Sequence, residues 1–348
     1  MTPKTKLNVD EKALSKLKLV AVAYSYVDRE QFATEAAYEA EKEVEERAQQ
    51  VIQAISDLKV EVKAYPADEH FLTDVLIDRP DLVVNLVDTL RGVDRLCSAV
   101  PGVLEYANIP YTGCRLTGMV VGNNRHLCKE MLEHYHIPTP RYKFIKDLRS
   151  NTAPDFEPPY IVKLNEGGGG MGIDDKAVKE TAAAAQKRVE ALHDEYGLPV
   201  LVEQFIDGPE LAGIVFDDGA AHQVFVAQKC FRRKPDGKHD FTSQQPNGQP
   251  ASYRFELMED DKLCQTASEL CARAFDALRF SDYAKFDMRV DARDNTPYFI
   301  DANPNTAFGP AKGLPLTEIL SLYGVEFPEI LASLLSKHAR SIRPPKEV

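Results

Sequence analysis

The sequence lacks three features that would place it in a specialised class. Its six cysteines are far apart, with no C-x-x-C pair and no regular framework, so they are expected to be reduced thiols. No apolar run approaches membrane-spanning length, and the amino terminus has no continuous apolar stretch typical of a signal peptide. Basic residues number 42 against 54 acidic ones, and the net charge of -12 disfavours a large nucleic-acid footprint. These absences predict a cytoplasmic enzyme or binding protein without nucleic-acid or membrane partners.

The first third of the chain alternates between strand-like and helical segments. Apolar strand-like runs at 18–25, 60–66 and 81–87 are accompanied by a long helical pattern from about Glu35 to Leu58. Such alternation is typical of an α/β unit with a largely parallel sheet. We assign this unit to residues 1–122.

The remainder of the 348-residue chain has a different pattern, which predicts two α+β units. The glycine run "EGGGGMG" precedes a helix expected from about Asp175 to Tyr196 and ended by Gly197. Strand-like segments dominate after this point, interrupted by a polar loop at 232–251 that is long enough to act as a lid. We predict a central domain over 123–202 and a carboxyl-terminal domain over 203–348.

Two acid-rich strands, "FDMRVD" and "PYFIDAN", predict a hairpin near the carboxyl terminus. A register that pairs Asp291 with Pro297 places Asp287 opposite Asp301, with Asn303 on the same face. Two like charges on neighbouring strands repel by roughly 0.2–1 kcal/mol, so something should neutralise them. Mg²⁺ accepts carboxylate and amide oxygens, which makes Asp287, Asp301 and Asn303 the predicted metal ligands; the alternative is a solvated hairpin end.

Strand alternation also predicts which side chains share each face of the hairpin. The core face is expected to hold Phe286, Met288, Val290, Tyr298, Ile300 and Ala302. The polar face carries two cations as candidate catalytic residues, Lys285 and Arg289.

The glycine run permits two interpretations. It contains a literal G-x-G-x-x-G at Gly167, Gly169 and Gly172, so a dinucleotide-binding loop has to be considered, whereas the absence of G-K-[ST] excludes a Walker-type loop. Lys163 lies in the apolar strand just before it, and a buried lysine is costly unless it meets an anion. Glycines also let backbone N–H groups approach phosphate oxygens, which favours a flap over a nucleotide.

Four motifs in order make the chain resemble the ATP-grasp superfamily, specifically its D-alanine:D-alanine ligase-like branch. They are "PYIVKLNEGGGGMG", "VEQFIDGPEL", "AKFDMRVD" and "PYFIDANPN", and roughly residues 80 to 310 take part. The resemblance implies an ATP-grasp fold, α/β and α+β, behind an amino-terminal Rossmann-like domain. It also implies ATP between two α+β subdomains, with Mg²⁺ or Mn²⁺ as the metal.

The resemblance assigns nucleotide-binding roles to individual residues. Lys163 would contact adenine and the α-phosphate, Arg125 would reach the phosphates from a position usually held by lysine, and Glu210 would hold the ribose hydroxyls. The adenine slot would be lined by Glu203 and by the backbone of Gln204, Phe205 and Ile206. The phosphates would be covered by Gly167, Gly168, Gly169 and Gly170, with Lys238 as a further phosphate contact.

Several positions depart from the family pattern. Lys285 falls where the family has an arginine that stabilises the oxyanion, and Asp301 falls where the second metal ligand is usually Glu. Asp88 and Arg91 follow the third strand, where α/β sheets bind ligands, so both are candidate substrate contacts. Lys312, a third candidate, falls where the family has a serine that holds a substrate carboxylate. The serine-rich phosphate loop and the amino-terminal substrate segment of the ligases are not recognisable. ATP and metal binding therefore carry over better than D-alanine does.

The resemblance implies an ATP-dependent carboxylate-amine ligase that forms an amide or peptide bond between small amino-acid-like substrates. A substrate carboxylate attacks the γ-phosphate, an amine attacks the acyl phosphate, and ADP and phosphate are released. The alternatives are a genuine D-alanine:D-alanine ligase, a nucleotide-binding protein that does not ligate, and an NAD-dependent oxidoreductase. Dimeric relatives suggest a homodimer by analogy.

Overall fold

The computed structural model describes residues 5–32, 35, 38, 42–149, 152–167, 170–174, 177–231, 253–311 and 313–340. Five predicted features lie outside these residues, namely Gly168, Gly169, Lys238, Lys312 and the loop at 232–251.

Within the described residues the chain forms three sheets and ten α-helices. The helices are α1 (Glu11–Leu14), α2 (Val44–Asp57), α3 (Phe71–Asp78), α4 (Ala99–Ala107), α5 (Leu116–Gly122), α6 (Arg125–His134), α7 (Ala182–Tyr196), α8 (Asp261–Ala277), α9 (Pro315–Leu322) and α10 (Phe327–Ala339). The strands are β1 (Leu19–Tyr24), β2 (Glu61–Pro66), β3 (Leu82–Leu86), β4 (Tyr142–Ile145), β5 (Tyr160–Leu164), β6 (Val178–Lys179), β7 (Val200–Gln204), β8 (Glu210–Asp217), β9 (His222–Phe231), β10 (Tyr253–Leu257), β11 (Tyr283–Val290) and β12 (Pro297–Asn303).

The amino-terminal sheet is parallel, with strand order β2-β1-β3, as the alternating pattern predicts. Helix α2 covers it with residues spaced three or four apart, so they lie on one helix face. All four of these residues are buried: Val44, Ala48, Val51 and Ile55. The helix is described from Val44, and most of its predicted first turns fall outside the described residues.

The middle sheet is antiparallel, with strand order β4-β7-β5-β6. Helix α7 ends at Gly197, which has φ 64 and caps the helix in the left-handed conformation, as predicted. The predicted start at Asp175 is wrong, because β6 intervenes and the Thr181 side chain caps the first turn by accepting from Ala184 N. The glycine run connects antiparallel strands, which removes the basis for a Rossmann dinucleotide loop, since that loop joins a strand to a crossover helix.

The carboxyl-terminal sheet is also antiparallel, with strand order β10-β9-β8-β11-β12. The structure places Asp287 opposite Asp301, as predicted, but the predicted pairing of Asp291 with Pro297 is wrong. Pro297 pairs with Val290, and a bulge at Ile300 between the two halves of the hairpin restores the predicted pairing of the aspartates.

The bulge changes which side chains of β12 face the core. Phe299 is buried with Phe286 and Met288, whereas Tyr298 and Ile300, predicted for that face, are only partly buried. The bulge therefore turns both Ile300 and the following Asp301 away from the core, because two residues occupy the space of one.

One hydrophobic cluster joins the two ends of the chain. Val20 and Val84 of the parallel sheet belong to the same buried cluster as Ile330 and Leu334 of α10. The six cysteines are free thiols. No single helix in the described residues is long and apolar enough to cross a membrane, although α9 and α10, bent by 109°, pass that test as a pair.

The predicted domain boundaries stay predictions. A boundary at residue 202 would divide β7, whose five residues pair with β5 along their whole length. If the chain is cut for expression, the middle sheet is kept intact by ending after Gln204.

Candidate functional site

A cavity of about 340 Å³ lies between the middle and carboxyl-terminal sheets. Every predicted nucleotide, metal or catalytic residue that the structure describes lines it, with the exception of Gly167. These residues are Arg125, Lys163, Gly170, Glu203, Gln204, Phe205, Ile206, Glu210, Lys285, Asp287, Arg289, Asp301 and Asn303. The ordered motifs of the sequence therefore converge on one cleft, and we call it the nucleotide cavity.

Lys163 meets an anion, as its position in an apolar strand requires. Its Nζ lies 2.8 Å from Glu203 Oε1 and donates to the carbonyl oxygen of Ile300 at 2.8 Å. Glu203 is completely buried on the neighbouring strand β7, two residues beyond Leu201, which pairs with Lys163. Lys163 and Glu203 thus lie together on one wall of the nucleotide cavity.

Two buried lysines at this site were not predicted. Lys129 Nζ lies 3.3 Å from Glu203 Oε2 and donates to Thr139 Oγ1, so Glu203 is flanked by two ammonium groups. Burial lowers the pKa of Lys129 to about 8, although the charge of Glu203 opposes the shift. Lys229, on β9, lies 2.8 Å from Glu210 Oε1 and lines the nucleotide cavity.

The environment of Lys229 keeps it charged. Burial alone would lower its pKa, but the carboxylates of Glu210 and Asp287 more than offset this and raise the pKa above its ordinary value. Its Nζ also lies 4.3 Å from the ring centre of Tyr253, a favourable cation–π distance. A lysine within the apolar run "VFVAQKC" is the same signal that drew attention to Lys163.

Arg125 connects the glycine run to the predicted metal site. It begins α6, whose first turn is capped by the Asn124 side chain. One guanidinium nitrogen donates to the carbonyl oxygens of Leu164 and Gly167 at 3.1 and 3.0 Å, and the other donates to Asp301 Oδ2 at 3.1 Å. Burial alone would raise the pKa of Asp301. The positive charges of Arg125, Lys163 and Lys285 more than offset this effect and lower the pKa to about 2. Asp301 is therefore ionised throughout the neutral range.

The predicted metal ligands lie side by side at the end of the hairpin. Lys285 Nζ donates to Asp287 Oδ2 at 2.5 Å, and Asn303 Nδ2 lies 3.4 Å from the same oxygen. Asp287 Oδ1 is buried without a hydrogen-bond partner in the described part of the chain. Among the described residues, no group of three or more His, Cys, Asp or Glu side chains is arranged to hold a metal ion, so a metal here would rely on two carboxylates and an amide. That donor set suits Mg²⁺ bound together with phosphate oxygens.

A second cavity, also about 340 Å³, adjoins the first. Both cavities are lined by the same four side chains, Arg125, Lys285, Asp301 and Asn303. Gly167, from the glycine run, also lies on the wall of the second cavity. The two cavities thus meet at the group of cations and predicted metal ligands, and we call the second one the substrate cavity.

The predicted substrate residues have different positions. Asp88 lines the substrate cavity and forms an ion pair with Arg47 at 2.5 Å. Arg91 is exposed and is not among the side chains that line this cavity. Asp94 and Cys97 line it but were not predicted, because their segment matches no motif. Burial raises the pKa of Cys97 to about 12, so it is a neutral wall residue and not a nucleophile.

Comparison with known proteins places the chain in a family. Residues 131–336 match the family model described as D-ala D-ala ligase C-terminus. The chain belongs to this family. The predicted resemblance, the ATP-grasp fold class and the ligase class are thereby confirmed.

Curated relatives carry the corresponding names at low identity. The D-alanine–D-alanine ligase of Herminiimonas arsenicoxydans is 23% identical over 84% of this chain and 86% of its own length. That of Albidiferax ferrireducens is 25% identical over 86% of this chain and 84% of its own length.

Solved structures support the fold. The D-alanine–D-alanine ligase from Bacillus anthracis complexed with ATP matches with a TM-score of 0.70 at 19% identity, over 93% of this chain and 98% of the other. The VanG D-Ala:D-Ser ligase from Enterococcus faecalis matches with a TM-score of 0.68 at 17% identity, over 92% and 99%.

Proposed function

We propose that this protein is an ATP- and Mg²⁺-dependent ligase that joins the carboxylate of one small amino-acid-like substrate to the amine of another. The observation that carries the proposal is the junction of the two cavities at Arg125, Lys285, Asp301 and Asn303. A γ-phosphate placed at that junction would face a carboxylate in the substrate cavity, which is the arrangement that phosphoryl transfer to a carboxylate needs.

The residues at the junction would act mainly by electrostatics and positioning. Mg²⁺ held by Asp287, Asp301 and Asn303 would neutralise phosphate oxygens and the charge that develops during transfer. Arg125 and Lys285 would bind the transferred phosphoryl group, because both side chains line both cavities. Gly167 and Gly170 would bring backbone N–H groups close to the phosphates and help to exclude water from the acyl phosphate.

The identity of the two substrates is the finer part of the proposal. A genuine D-alanine:D-alanine ligase is the leading specific candidate, since the family model and the named relatives carry that description. The wall of the substrate cavity differs from the family pattern, however, and carries the carboxylates of Asp88 and Asp94. Related substrates with another side chain are therefore candidates too.

An ADP-release screen tests the proposed function. Purified protein is incubated with ATP, Mg²⁺ and pairs of D- and L-amino acids, and ADP and phosphate are measured with and without EDTA. We expect release that needs an amino-acid pair and is lost with EDTA. A product whose mass equals that of the two amino acids minus water identifies the substrates, and absence of coupled release across the whole set would reject the ligase.

A further inference from the structure

Arg289 makes an unusual set of contacts with the segment that links β7 to β8. Its Nε donates to the carbonyl oxygen of Ile206 at 2.6 Å, and one terminal nitrogen donates to the carbonyl oxygen of Gly208 at 2.8 Å. The guanidinium carbon lies 4.5 Å from the ring centre of Phe205. The side chain is almost fully buried yet lines the nucleotide cavity. These contacts tie Arg289 to the segment that links the two sheets.

The same arginine also contacts the predicted ribose ligand. Its other terminal nitrogen lies 3.4 Å from Glu210 Oε2, while Lys229 holds Glu210 Oε1 at 2.8 Å. Arg289 and Glu210 are register partners on β11 and β8, so the contact is built into the strand pairing. Both carboxylate oxygens of Glu210 are therefore held in a defined orientation.

The linking segment is held from both sheets. On the β11 side Arg289 supplies two hydrogen bonds, and the backbone N–H groups of Ala292 and Val290 donate to the carbonyl oxygens of Asp207 and Pro209 at 3.5 and 2.9 Å. Phe205 N donates to the carbonyl oxygen of Pro159 on the middle-sheet side. On the other side the segment packs so tightly on β11 that a side-chain carbon at Gly208 would come within 1.9 Å of the carbonyl oxygen of Val290. Residues that connect two sheets across a cleft determine how the sheets close on a ligand.

We propose that Arg289 is a nucleotide-positioning residue, which fixes the segment 205–208, where Phe205 and Ile206 line the predicted adenine slot, and orients Glu210 towards the ribose. This rests on the proposed function, because it assumes that the nucleotide occupies the cavity between the two sheets. In this role Arg289 itself binds neither the metal nor a phosphate. It acts before chemistry, by removing conformational freedom that ATP would otherwise have to restrict on binding.

The test uses Arg289→Met and Arg289→Lys, with Arg293→Met as the matched control. Arg293 lies on the same hairpin, and its side chain is 79% exposed. Affinities for ATP and 2′-deoxy-ATP are measured by isothermal titration on the full-length protein. KM for ATP and kcat are measured from ADP release with the amino-acid pair identified in the screen. Binding stoichiometry and thermal melting show the folded fraction, so affinity is read per binding-competent molecule.

We expect Arg289→Met to weaken ATP binding and raise KM for ATP by roughly 10- to 100-fold while kcat at saturation stays nearly constant, because the lost interactions are charge-assisted hydrogen bonds. The preference for ATP over 2′-deoxy-ATP should shrink in this variant and return in Arg289→Lys, which keeps a cation beside Glu210. The control should behave as wild type. Unchanged ATP affinity, or a fall in kcat with unchanged KM, would overturn the role of Arg289. A wild-type protein that does not bind ATP would instead reject the proposed function.

Discussion

Replacing Asp301 with alanine is expected to reduce Mg²⁺-dependent ADP release by roughly 100- to 1,000-fold or more, since a charged group at the proposed site of phosphoryl transfer is lost. Asp301 is ionised, with a pKa held at about 2, and lies on the wall shared by both cavities. The measurement is the initial rate of ADP release across a range of Mg²⁺ concentrations, together with direct titration of Mn²⁺ in the presence of a non-hydrolysable ATP analogue.

Two further variants separate the metal role from a general defect. Asp301→Glu restores the carboxylate that the family usually carries and should keep most of the activity, because the longer side chain can still reach a metal. Asp294→Ala removes an exposed aspartate in the turn of the same hairpin and should leave the rate unchanged. If Asp301→Ala turns over normally while Mn²⁺ binding is intact, Asp301 is not a metal ligand.

The pairing of Asp287 with Asp301 shows how much of the hairpin can be predicted from strand periodicity alone. Alternation was sufficient to place Asp287 opposite Asp301, yet the register that led to this pairing was wrong by one residue at Pro297. Ile300 explains the difference, because it is the extra residue of the bulge. An isoleucine fits a core face or a cavity wall equally well, so its side-chain type gives no sign of a bulge.

The buried lysines show which inferences need tertiary structure. Lys163 could be recognised because an isolated lysine in an apolar strand has to meet an anion. Lys229 has the same kind of position in β9 and was missed only because no motif drew attention to it. Lys129 is different: it lies on an amphipathic helix, where a lysine is ordinarily solvated, and it is buried only because α6 packs beside Glu203.

Arg289 gives the opposite case, in which the position was predicted from the sequence and the role proposed above depends on the structure. The sequence placed it on the polar face of the hairpin beside Lys285, and the structure puts both in the nucleotide cavity. Its contacts with Ile206 and Gly208 depend on a linking segment whose path is set by two sheets at once. Periodicity within one hairpin carries no information about that path.

Replacing Glu203 with glutamine should lower the free energy of unfolding by about 3–5 kcal/mol near pH 6, the range expected when one partner of a buried ion pair is lost. Glu203 has no exposed surface, and its removal leaves two buried ammonium groups, Lys163 and Lys129, without their carboxylate. Urea denaturation measures the loss. The matched control is Glu256→Gln, whose side chain is 46% exposed and pairs with Arg254, and it should change stability by less than about 1 kcal/mol.

The loss in free energy of unfolding caused by Glu203→Gln should become smaller as the pH rises from 6 to 9. In the native protein burial lowers the pKa of Lys129 to about 8, and Glu203 opposes this shift, so losing Glu203 should lower the pKa further. Between that lower pKa and pH 8 the folded variant binds fewer protons than its unfolded chain, so the stability of the variant rises with pH. In the wild type, Lys129 loses its proton only around pH 8, so its stability gains the same contribution only above pH 8. A deficit that is the same at pH 6 and pH 9 would contradict the assignment of Lys129 as the lysine that Glu203 keeps charged.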